Sequence, residues 1–328
     1  MGLKINRDEL IILDEIDAGG EGRVYNLPED YSIRGLQGPF VYKEYFDFIK
    51  RDRKSIAIQT ALDYMVNTYE HMSEGDRLYI DQRAAWPLAT VVDHNGASGL
   101  IMRKVIARMV DPEAPDPDSK LFSLDRWIQT KDRIIQLSVK QGFKPMTPLG
   151  KKRYLQRLFT YFAHIHTKGW VIGDISDLNI LAYVPDPDRQ EAHCSPVFID
   201  TDAYRWQYGG SAIPQKHTGS YIPPEKKVLD TQIKRLKKNH GSRNEIRELE
   251  VRASLQTQAS DVYKAALIAI RLYDESNSPT QAFLQSTDLN PLRKAFNYST
   301  IQLIIYAFDK NPSNRPTMKE LAKGFYSI

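Results

Sequence analysis

Three polar side chains have the types and the spacing that metal-dependent phosphoryl transfer requires. Asn179 follows Asp174 by five residues, and Asp200 ends the apolar run 197–199. One carboxylate can orient an attacking hydroxyl, while an amide oxygen and a second carboxylate can hold Mg²⁺ on nucleotide phosphates, because hard cations prefer oxygen ligands. The spacing of Asp174 and Asn179 alone is a weak signal, so its meaning depends on which elements precede it.

A glycine cluster and a lysine lie upstream in the order that nucleotide binding would need. Residues 17–24 read DAGGEGRV, and glycines let backbone N–H groups approach phosphate oxygens without obstruction by a Cβ. Lys43 follows in the β-rich run 40–45, from which its ammonium could reach the α and β phosphates. Taken alone, the glycines also fit a tight hairpin turn, and the lysine also fits a solvated strand edge.

Periodicity and punctuation predict an α+β fold whose strands come first. The β-rich runs 9–16, 23–27, 40–45, 86–93 and 99–105 are interrupted by one predicted helix over residues 55–72. A Pro/Asp-rich loop is predicted at 111–118, and helices follow. Thr147 and Pro148 are a suitable N-cap and first-turn pair, and the mostly apolar segment 261–273 predicts a buried helix.

Composition excludes several classes of protein. The 328 residues, 41% of them hydrophobic, can bury a substantial core. Residues 1–15 contain no signal-peptide apolar region, and the apolar runs are too short to span a bilayer, so we expect a cytoplasmic protein without membrane contact. The net charge of +4 is mild and gives no support to nucleic-acid binding. The single Cys194 excludes an internal disulfide and is expected in a surface loop.

Taken together and in this order, these features resemble the protein-kinase superfamily, and most closely the divergent bacterial Ser/Thr kinase-like proteins with an Ala-Trp-Pro signature, here residues 85–87. The resemblance covers nearly the whole chain. It implies a bilobal fold, with a β-rich nucleotide-binding small lobe at 1–105, a mainly helical catalytic lobe at 106–328, and ATP bound in the cleft between them. It also implies ATP and Mg²⁺, with Mn²⁺ possible, as cofactors, and a protein Ser or Thr hydroxyl as phosphate acceptor.

The resemblance assigns roles by position. Asp174 is implied as the catalytic base or hydroxyl-orienting group, and Asn179 and Asp200 as the metal ligands. Lys43 is implied as the phosphate clamp. The residues implied in nucleotide binding, including the backbone of the hinge after the fifth strand, are Gly19, Gly20, Gly22, Val24, Lys43, Met102, Arg103 and Val105.

Supporting residues are implied in the same way. Glu225 follows two prolines, like the glutamate of an Ala-Pro-Glu element, and Arg315 matches the arginine that pairs with it, so we expect a largely buried ion pair. Asp261 matches the buried aspartate that begins the central helix of the large lobe. Lys43 needs an acidic partner on the helix 55–72. Asp63 has the better spacing and Glu70 the longer reach, and both could instead lie on the wet face of that helix.

Four positions depart from the family pattern. Asp17 replaces the first glycine of the nucleotide loop, and Gly173 replaces an arginine that would receive a phosphorylated activation loop. Ser176 replaces a lysine found in many Ser/Thr kinases, which removes a positive charge. Asp202 adds a second carboxylate after Asp200, for which strand-end capping is favoured over tuning of the metal.

These departures leave alternatives open. The chain could be a pseudokinase or nucleotide-sensing module, or a kinase-fold enzyme acting on a small-molecule acceptor. The basic segment 226–260, helical over residues 245–255, is by default a solvated surface, and otherwise a docking site for an acidic protein partner or substrate. His164 and His166 lack metal-ligand partners at suitable spacing and are interpreted as packing residues.

Overall fold

The computed structural model describes residues 2–53, 55–105, 122–274 and 289–326, apart from the side chains of residues 52, 53 and 55. The protein is a mixed α+β structure with two compact units. One unit combines Met1–Asp118 with Val197–Pro214, and the other combines Ser119–Pro196 with Gln215–Ile328. The division expected at residue 105 therefore differs by the segment Val197–Pro214, which belongs with the strands. The loop expected at 111–118 lies outside the described residues.

A six-stranded sheet is the centre of the first unit. Its strands are β1 (Lys4–Asn6), β2 (Glu15–Ala18), β3 (Gly22–Asn26), β6 (Phe40–Tyr45), β7 (Pro87–Asp93) and β8 (Gly96–Arg103). They follow the order β1-β7-β8-β6-β3-β2, in which β1 runs parallel to β7 and the other pairs are antiparallel. Strands β4 (Ser32–Ile33) and β5 (Leu36–Gln37) form a separate antiparallel pair.

Three helices accompany this sheet, namely α1 (Asp47–Arg53), α2 (Ser55–Glu70) and α3 (Glu74–Asp81). The expected helix 55–72 is confirmed as α2, whose Ile58 and Leu62 pack in one buried cluster with Tyr45 of β6 and Leu100 of β8. The Trp86 indole N–H donates to the carbonyl of Met65 at 3.2 Å, so α2 is held both by apolar contact and by a hydrogen bond.

The expectation of one helix among the strands is wrong, because α1 and α3 were missed. Helices of seven and eight residues span about two turns, which is too short for a clear apolar period. The start of α3 is marked by Ser73, whose hydroxyl accepts from the N–H of Asp76 at 3.1 Å. The expected strand 9–16 is also shorter, since regular pairing begins only at Glu15.

The second unit is mainly helical. Its helices are α4 (Lys131–Gln141), α5 (Pro148–Thr167), α6 (Gln190–His193), α7 (Pro224–Lys238), α8 (Arg243–Ser254), α9 (Gln258–Tyr273), α10 (Asn290–Ala295), α11 (Tyr298–Ala307) and α12 (Met318–Tyr326). Strand β9 (Phe122–Ser123) pairs antiparallel with β11 (Ile180–Tyr183), and β10 (Trp170–Val171) precedes β11 in sequence. The chain returns to the first unit through β12 (Ser195–Phe198), which is followed by β13 (Arg205–Trp206).

Helices α5, α9 and α12 supply much of the core of the second unit. The predicted start of α5 is confirmed, since the Thr147 hydroxyl accepts from the N–H of Gly150 at 3.0 Å. Phe159 of α5 stacks on Phe325 of α12 with ring centroids 4.3 Å apart. Helix α9 is buried from residue 260 to residue 272, as its apolar sequence predicted.

Cys194 is completely buried, so its expected position in a surface loop is wrong. The residue directly follows α6, and its carbonyl accepts from a guanidinium N–H of Arg157 at 2.6 Å. Burial raises the pKa of the thiol to about 12, although the nearby Arg157 charge acts in the opposite direction. The thiol is therefore a packing group. Within the described ranges, none of the helices has the length and apolar character needed to cross a lipid bilayer.

Candidate functional site

The Lys43 side chain lies inside the first unit between two carboxylates. Its ammonium is 2.9 Å from Asp200 Oδ1 and 3.0 Å from Asp202 Oδ1, although both acidic residues are more than 150 positions further along the chain. Lys43 is 6% exposed and Asp202 is 3% exposed, whereas Asp200 is 43% exposed. The Tyr45 hydroxyl donates to Asp202 Oδ2 at 2.9 Å. We call these four residues the lysine–carboxylate cluster.

Electrostatics keep this lysine charged. Burial by itself would lower the pKa of Lys43, but the carboxylates of Asp202 and Asp200 outweigh that effect and raise the pKa well above its ordinary value. The same surroundings raise the pKa of the Tyr45 phenol, through burial first and the Asp202 charge second. Lys43 is therefore an ammonium at physiological pH, and the more exposed Asp200 is the member of the cluster that solvent reaches.

Neither of the partners expected for Lys43 is its partner. Asp63 forms an ion pair with Lys4 at 2.9 Å and accepts from the Thr90 hydroxyl, also at 2.9 Å. Glu70 pairs with Arg34. Asp202, for which strand-end capping was favoured, is instead a buried partner of the lysine. The reason is tertiary, because Val197–Pro214 belongs with the sheet and places two carboxylates beside Lys43, whereas Asp63 and Glu70 of α2 are paired with Lys4 and Arg34.

Backbone contacts fix the segment that carries Asp200 and Asp202. The N–H of Phe198 donates to the carbonyl of Arg83 at 2.7 Å, and the N–H of Ala85 donates to the carbonyl of Phe198 at 2.9 Å. The Thr201 hydroxyl donates to the carbonyl of Ala85 at 2.6 Å. Asp200 has φ = 53°, in the left-handed region that aspartate tolerates better than most residues. These bonds hold both carboxylates in place beside the strand of Lys43.

The glycine loop is the hairpin between β2 and β3. The N–H of Gly19 donates to the carbonyl of Gly22 at 3.0 Å, and Val24 lies opposite Lys43 in the register of β3 and β6. A Cβ on Gly22 would lie 2.2 Å from the carbonyl oxygen of Glu44, whereas one on Gly19 would meet no atom within 4 Å. Gly22 is thus required by the packing of β3 on β6. Gly19 and Gly20 lie at the exposed tip.

Asp17 turns its carboxylate toward its own backbone, where Oδ1 accepts from the N–H of Ala18 at 2.8 Å. The expected hinge lies at the end of β8. Met102 packs against the buried cluster around α2, and the Arg103 guanidinium pairs with Asp81 at 2.8 Å. Val105 follows the strand and is partly buried. The Arg103 side chain is therefore bound within the first unit. A hinge at these residues could contact a nucleotide only through backbone groups.

In the second unit, the loop 172–179 presents Asp174 and Asn179. The Asn179 amide donates to the carbonyl of Asp174 at 3.0 Å, which leaves its oxygen as the group suited to a cation. The Thr218 hydroxyl donates to Asp174 Oδ1 at 3.3 Å. These contacts bring together two of the residues expected at the site and add Thr218, which the sequence analysis did not assign to it.

Asp261 anchors the loop from α9. Its two carboxylate oxygens accept from the N–H groups of Ile172 and Gly173, both at 2.8 Å, and Oδ2 also lies 3.0 Å from Nε2 of His166. The expected buried role of Asp261 is present, whereas His166, which was interpreted as a packing residue, is a hydrogen-bonding partner of this carboxylate. Backbone N–H groups held by a carboxylate are a strong positional constraint.

Gly173 has a steric reason to be glycine. Its φ is 75°, and a Cβ there would lie 2.2 Å from the side-chain amide of Gln215. Gln215 Nε2 in turn donates to the carbonyl of Val171 at 3.1 Å. The family pattern has an arginine at this position, but Gln215 fills the space that a side chain on residue 173 would need.

Sequence reasoning missed two residues behind the Asp174 loop. Lys264 of α9 is completely buried, and its ammonium donates to the carbonyl of Gly173 at 2.5 Å and to Gln256 Oε1 at 2.6 Å. Gln256 is also completely buried, and its Nε2 donates to the carbonyl of Lys216 at 2.8 Å. A lysine within the mostly apolar helix α9 was the available signal.

The expected ion pair of Glu225 and Arg315 is present. Two guanidinium nitrogens lie 3.0 and 2.6 Å from the two carboxylate oxygens of Glu225, an arrangement that fixes orientation as well as distance. The Arg315 side chain is 0% exposed and that of Glu225 is 28% exposed. Arg315 also donates to the carbonyls of Asp309 and Ala259 at 3.0 and 2.9 Å.

Asp200 and Asn179 both provide oxygen ligands of the type that Mg²⁺ accepts. In the ranges that the structure describes, no group of three or more His, Cys, Asp or Glu side chains could hold a metal ion by itself. Mg²⁺ commonly takes only one or two protein oxygens and completes its octahedron with water and phosphate, so a single oxygen such as that of Asp200, or that of Asn179, fits a nucleotide-bound ion better than a dedicated protein site.

Comparison with protein-family models and with curated proteins finds no match to this chain.

Gly22→Ala tests the steric origin of the glycine loop. We expect a loss of about 1–3 kcal/mol in the free energy of unfolding, because the new methyl group must displace the backbone of β6. Gly19→Ala is the matched control and should change stability by less than about 0.5 kcal/mol. Urea unfolding measures both. Equal stability of the two variants would show that β3 and β6 do not pack this closely.

Arg315→Ala tests the ion pair. We expect a loss of about 3 kcal/mol in unfolding free energy, near the low end for a buried pair, because the stranded Glu225 is partly reached by water. Lys144→Ala is the control, since Lys144 and Asp186 are more than half exposed and should contribute at most about 1 kcal/mol. Thermal and urea unfolding are the measurements, and similar losses for both variants would contradict the assignment.

Proposed function

We propose that this chain is an ATP- and magnesium-dependent phosphotransferase of bilobal, protein-kinase-like architecture that transfers the γ-phosphate to a Ser or Thr hydroxyl of a protein. The observation that carries the proposal is the pairing of Lys43 with Asp200 at 2.9 Å. The resemblance required these two residues, from a strand and from the end of a later apolar run, to serve the same nucleotide phosphates.

A second line of support comes from the loop of Asp174. A hydroxyl-orienting carboxylate must be held in a defined position to act, since its contribution depends on geometry. Asp261 holds the loop by two backbone N–H groups, Asn179 closes it from the other end, and Thr218 donates to the carboxylate itself. This degree of constraint is typical of a catalytic loop and exceeds what a surface turn needs.

Each residue has a defined part in the proposed reaction. Lys43 would bind the α and β phosphates, the exposed carboxylate of Asp200 and the amide oxygen of Asn179 would hold the metal, and Asp174 would orient the acceptor hydroxyl. Magnesium, when bound, would supply positive charge that neutralises the phosphates. At the exposed tip of the glycine loop, the N–H of Gly20 would face the nucleotide, because that of Gly19 is bonded to the carbonyl of Gly22, and the hinge would offer backbone groups near Val105 to the adenine.

The protein acceptor is favoured by the segment between Thr218 and Glu225. Thr218 contacts Asp174, while Glu225 is fixed by Arg315, so both ends of this segment are anchored. A segment anchored in this way can bind an acceptor peptide beside the carboxylate of Asp174. Helices α7 and α8, which contain most of the basic segment 226–260, would then dock an acidic region of the substrate.

One observation favours a nucleotide-binding module without turnover. Lys43 is engaged by two carboxylates and is almost completely buried, so phosphate must replace or join Asp202 or Asp200 to reach it. A binding protein would tolerate that arrangement better than an enzyme, which needs a cation available to the phosphates in every cycle.

Two substitutions separate these functions. Asp200→Ala should weaken binding of magnesium-ATP and abolish transfer, because it removes a metal ligand. Asp174→Asn keeps the shape of the side chain without its charge, so it should retain nucleotide affinity within a few-fold while transfer falls on the order of a hundredfold or more. Calorimetry measures the affinity, and γ-labelled ATP with native lysate measures the transfer.

Asp186→Asn is the control for loss of a carboxylate, since Asp186 is 61% exposed and pairs only with Lys144 among the described ion pairs. It should change neither quantity. A wild-type protein that binds magnesium-ATP but transfers no more phosphate than Asp174→Asn would exclude the enzyme and leave the binding module.

A further inference from the structure

Helix α9 carries charged residues on one face although it is buried along almost its whole length. Asp261, Lys264 and Arg271 lie within about 80° of one another around the helix axis, given 3.6 residues per turn. All three contact loops of the second unit. Asp261 holds two N–H groups of the Asp174 loop, Lys264 holds the Gly173 carbonyl, and Arg271 donates to the carbonyl of Ser220 at 2.7 Å.

The Asp174 loop has no positive charge of its own. Residues 172–179 include Asp174 and Asp177 but no lysine, arginine or histidine. The ammonium of Lys264 is hydrogen-bonded to the residue directly before Asp174, from the interior side of the loop. A buried positive charge in a region of low dielectric acts on a nearby carboxylate much more strongly than an exposed one.

Burial of the Lys264 ammonium at this position costs free energy. Its two acceptors, the Gly173 carbonyl and Gln256 Oε1, are neutral, and an ammonium without water usually needs a carboxylate in direct contact. Burial therefore lowers the pKa of Lys264 to about 8, while the charges of Asp261, Asp174 and Glu225 oppose that shift. The pKa of His217 is also lowered, first by burial and then by the charge of Lys264.

We propose that Lys264 is a positioning residue for Asp174: its ammonium holds the Gly173 carbonyl and supplies, from inside the unit, the positive charge that the loop 172–179 lacks. Gln256 completes the arrangement. It orients Lys264 through Oε1 and holds the carbonyl of Lys216 through Nε2, two residues before the Thr218 that donates to Asp174. Lys264 thus positions both the carboxylate and the hydroxyl that binds it. This inference rests on the phosphotransferase function proposed above.

The first experiment compares Lys264→Met, which removes charge and hydrogen bonds, with Lys264→Gln, which keeps an N–H donor without the charge. With magnesium-ATP and casein as a generic acceptor, both variants should lose about tenfold or more in kcat, while KM for ATP stays within about threefold. Wild-type kcat in Lys264→Gln, or more than half of it in Lys264→Met, would overturn the inference. Folding of each variant is checked by circular dichroism and urea unfolding.

Lys151→Met is the matched control. Lys151 is another buried lysine of the second unit, and its ammonium lies 5.5 Å from the ring centroid of Tyr273, the last residue of α9. Removal of this charge should leave kcat within twofold of wild type. An equal loss in this variant would show that any buried lysine of this unit is needed for folding, and would overturn a specific role of Lys264.

The second experiment needs no activity and uses a Lys264 variant only to assign a signal. In protein labelled with ¹³C at lysine Cε, the NMR titration of Lys264 should give a pKa of about 8 in the wild type and a lower value in Asp174→Asn, because the Asp174 charge stabilises the ammonium. Asp230→Asn, which removes a carboxylate paired with Lys226, should leave it unchanged. The Lys264→Gln spectrum assigns the signal.

The two experiments fail in distinguishable ways. An active wild-type protein whose Lys264 pKa is the same in Asp174→Asn overturns this inference and leaves the phosphotransferase in place. An inactive wild-type protein whose Lys264 still responds to Asp174→Asn overturns the proposed function and keeps the electrostatic contact between the two residues.

Discussion

A lysine that has lost its hydration is costly to bury unless protein acceptors replace the water, and in the first unit two carboxylates do so for Lys43. Lys43 lies on a central strand with its ammonium inside the protein, where an unpaired charge would be prohibitively costly. Asp200 and Asp202 meet this need, and they come from a segment more than 150 residues further along the chain. The association of Val197–Pro214 with the sheet therefore combines apolar packing with neutralisation of a buried charge.

The buried charges of the second unit also have close partners, although the partners are of other kinds. Asp261 is completely buried and is stabilised by two backbone N–H groups, so its charge determines the conformation of the loop before Asp174. Arg315 is buried and is neutralised by Glu225, which lies at the start of α7. The loops bound to these buried charges are therefore held in place, since such a loop cannot move without leaving the charge unpaired.

Glycine is required for different physical reasons at different positions of this protein. Gly22 is excluded from carrying a side chain by the backbone of the neighbouring strand, and Gly173 by both its positive φ and the amide of Gln215. Gly19 has open space around it. A glycine-rich pattern is therefore partly a packing requirement, and only its exposed tip is available for a ligand. Sequence reasoning treated the cluster as one feature because spacing alone does not separate these causes.

Local sequence determined several elements of this protein. The period of α2, the N-cap at Thr147 and the apolar length of α9 all depend on residues within a few turns of one another, and each prediction is confirmed. The ion pair of Glu225 and Arg315 was also expected, from the resemblance and not from periodicity, and it is present.

Only the tertiary structure decided the partner of Lys43, the burial of Asp202 and Cys194, and the contacts of Lys264. The physical reason is that a buried charge selects its partner by distance in space, and that distance depends on how strands and helices pack. Asp63 had suitable spacing in sequence, but α2 presents it to Lys4 and Thr90, and its place beside Lys43 is taken by residues that no local pattern connects to that strand.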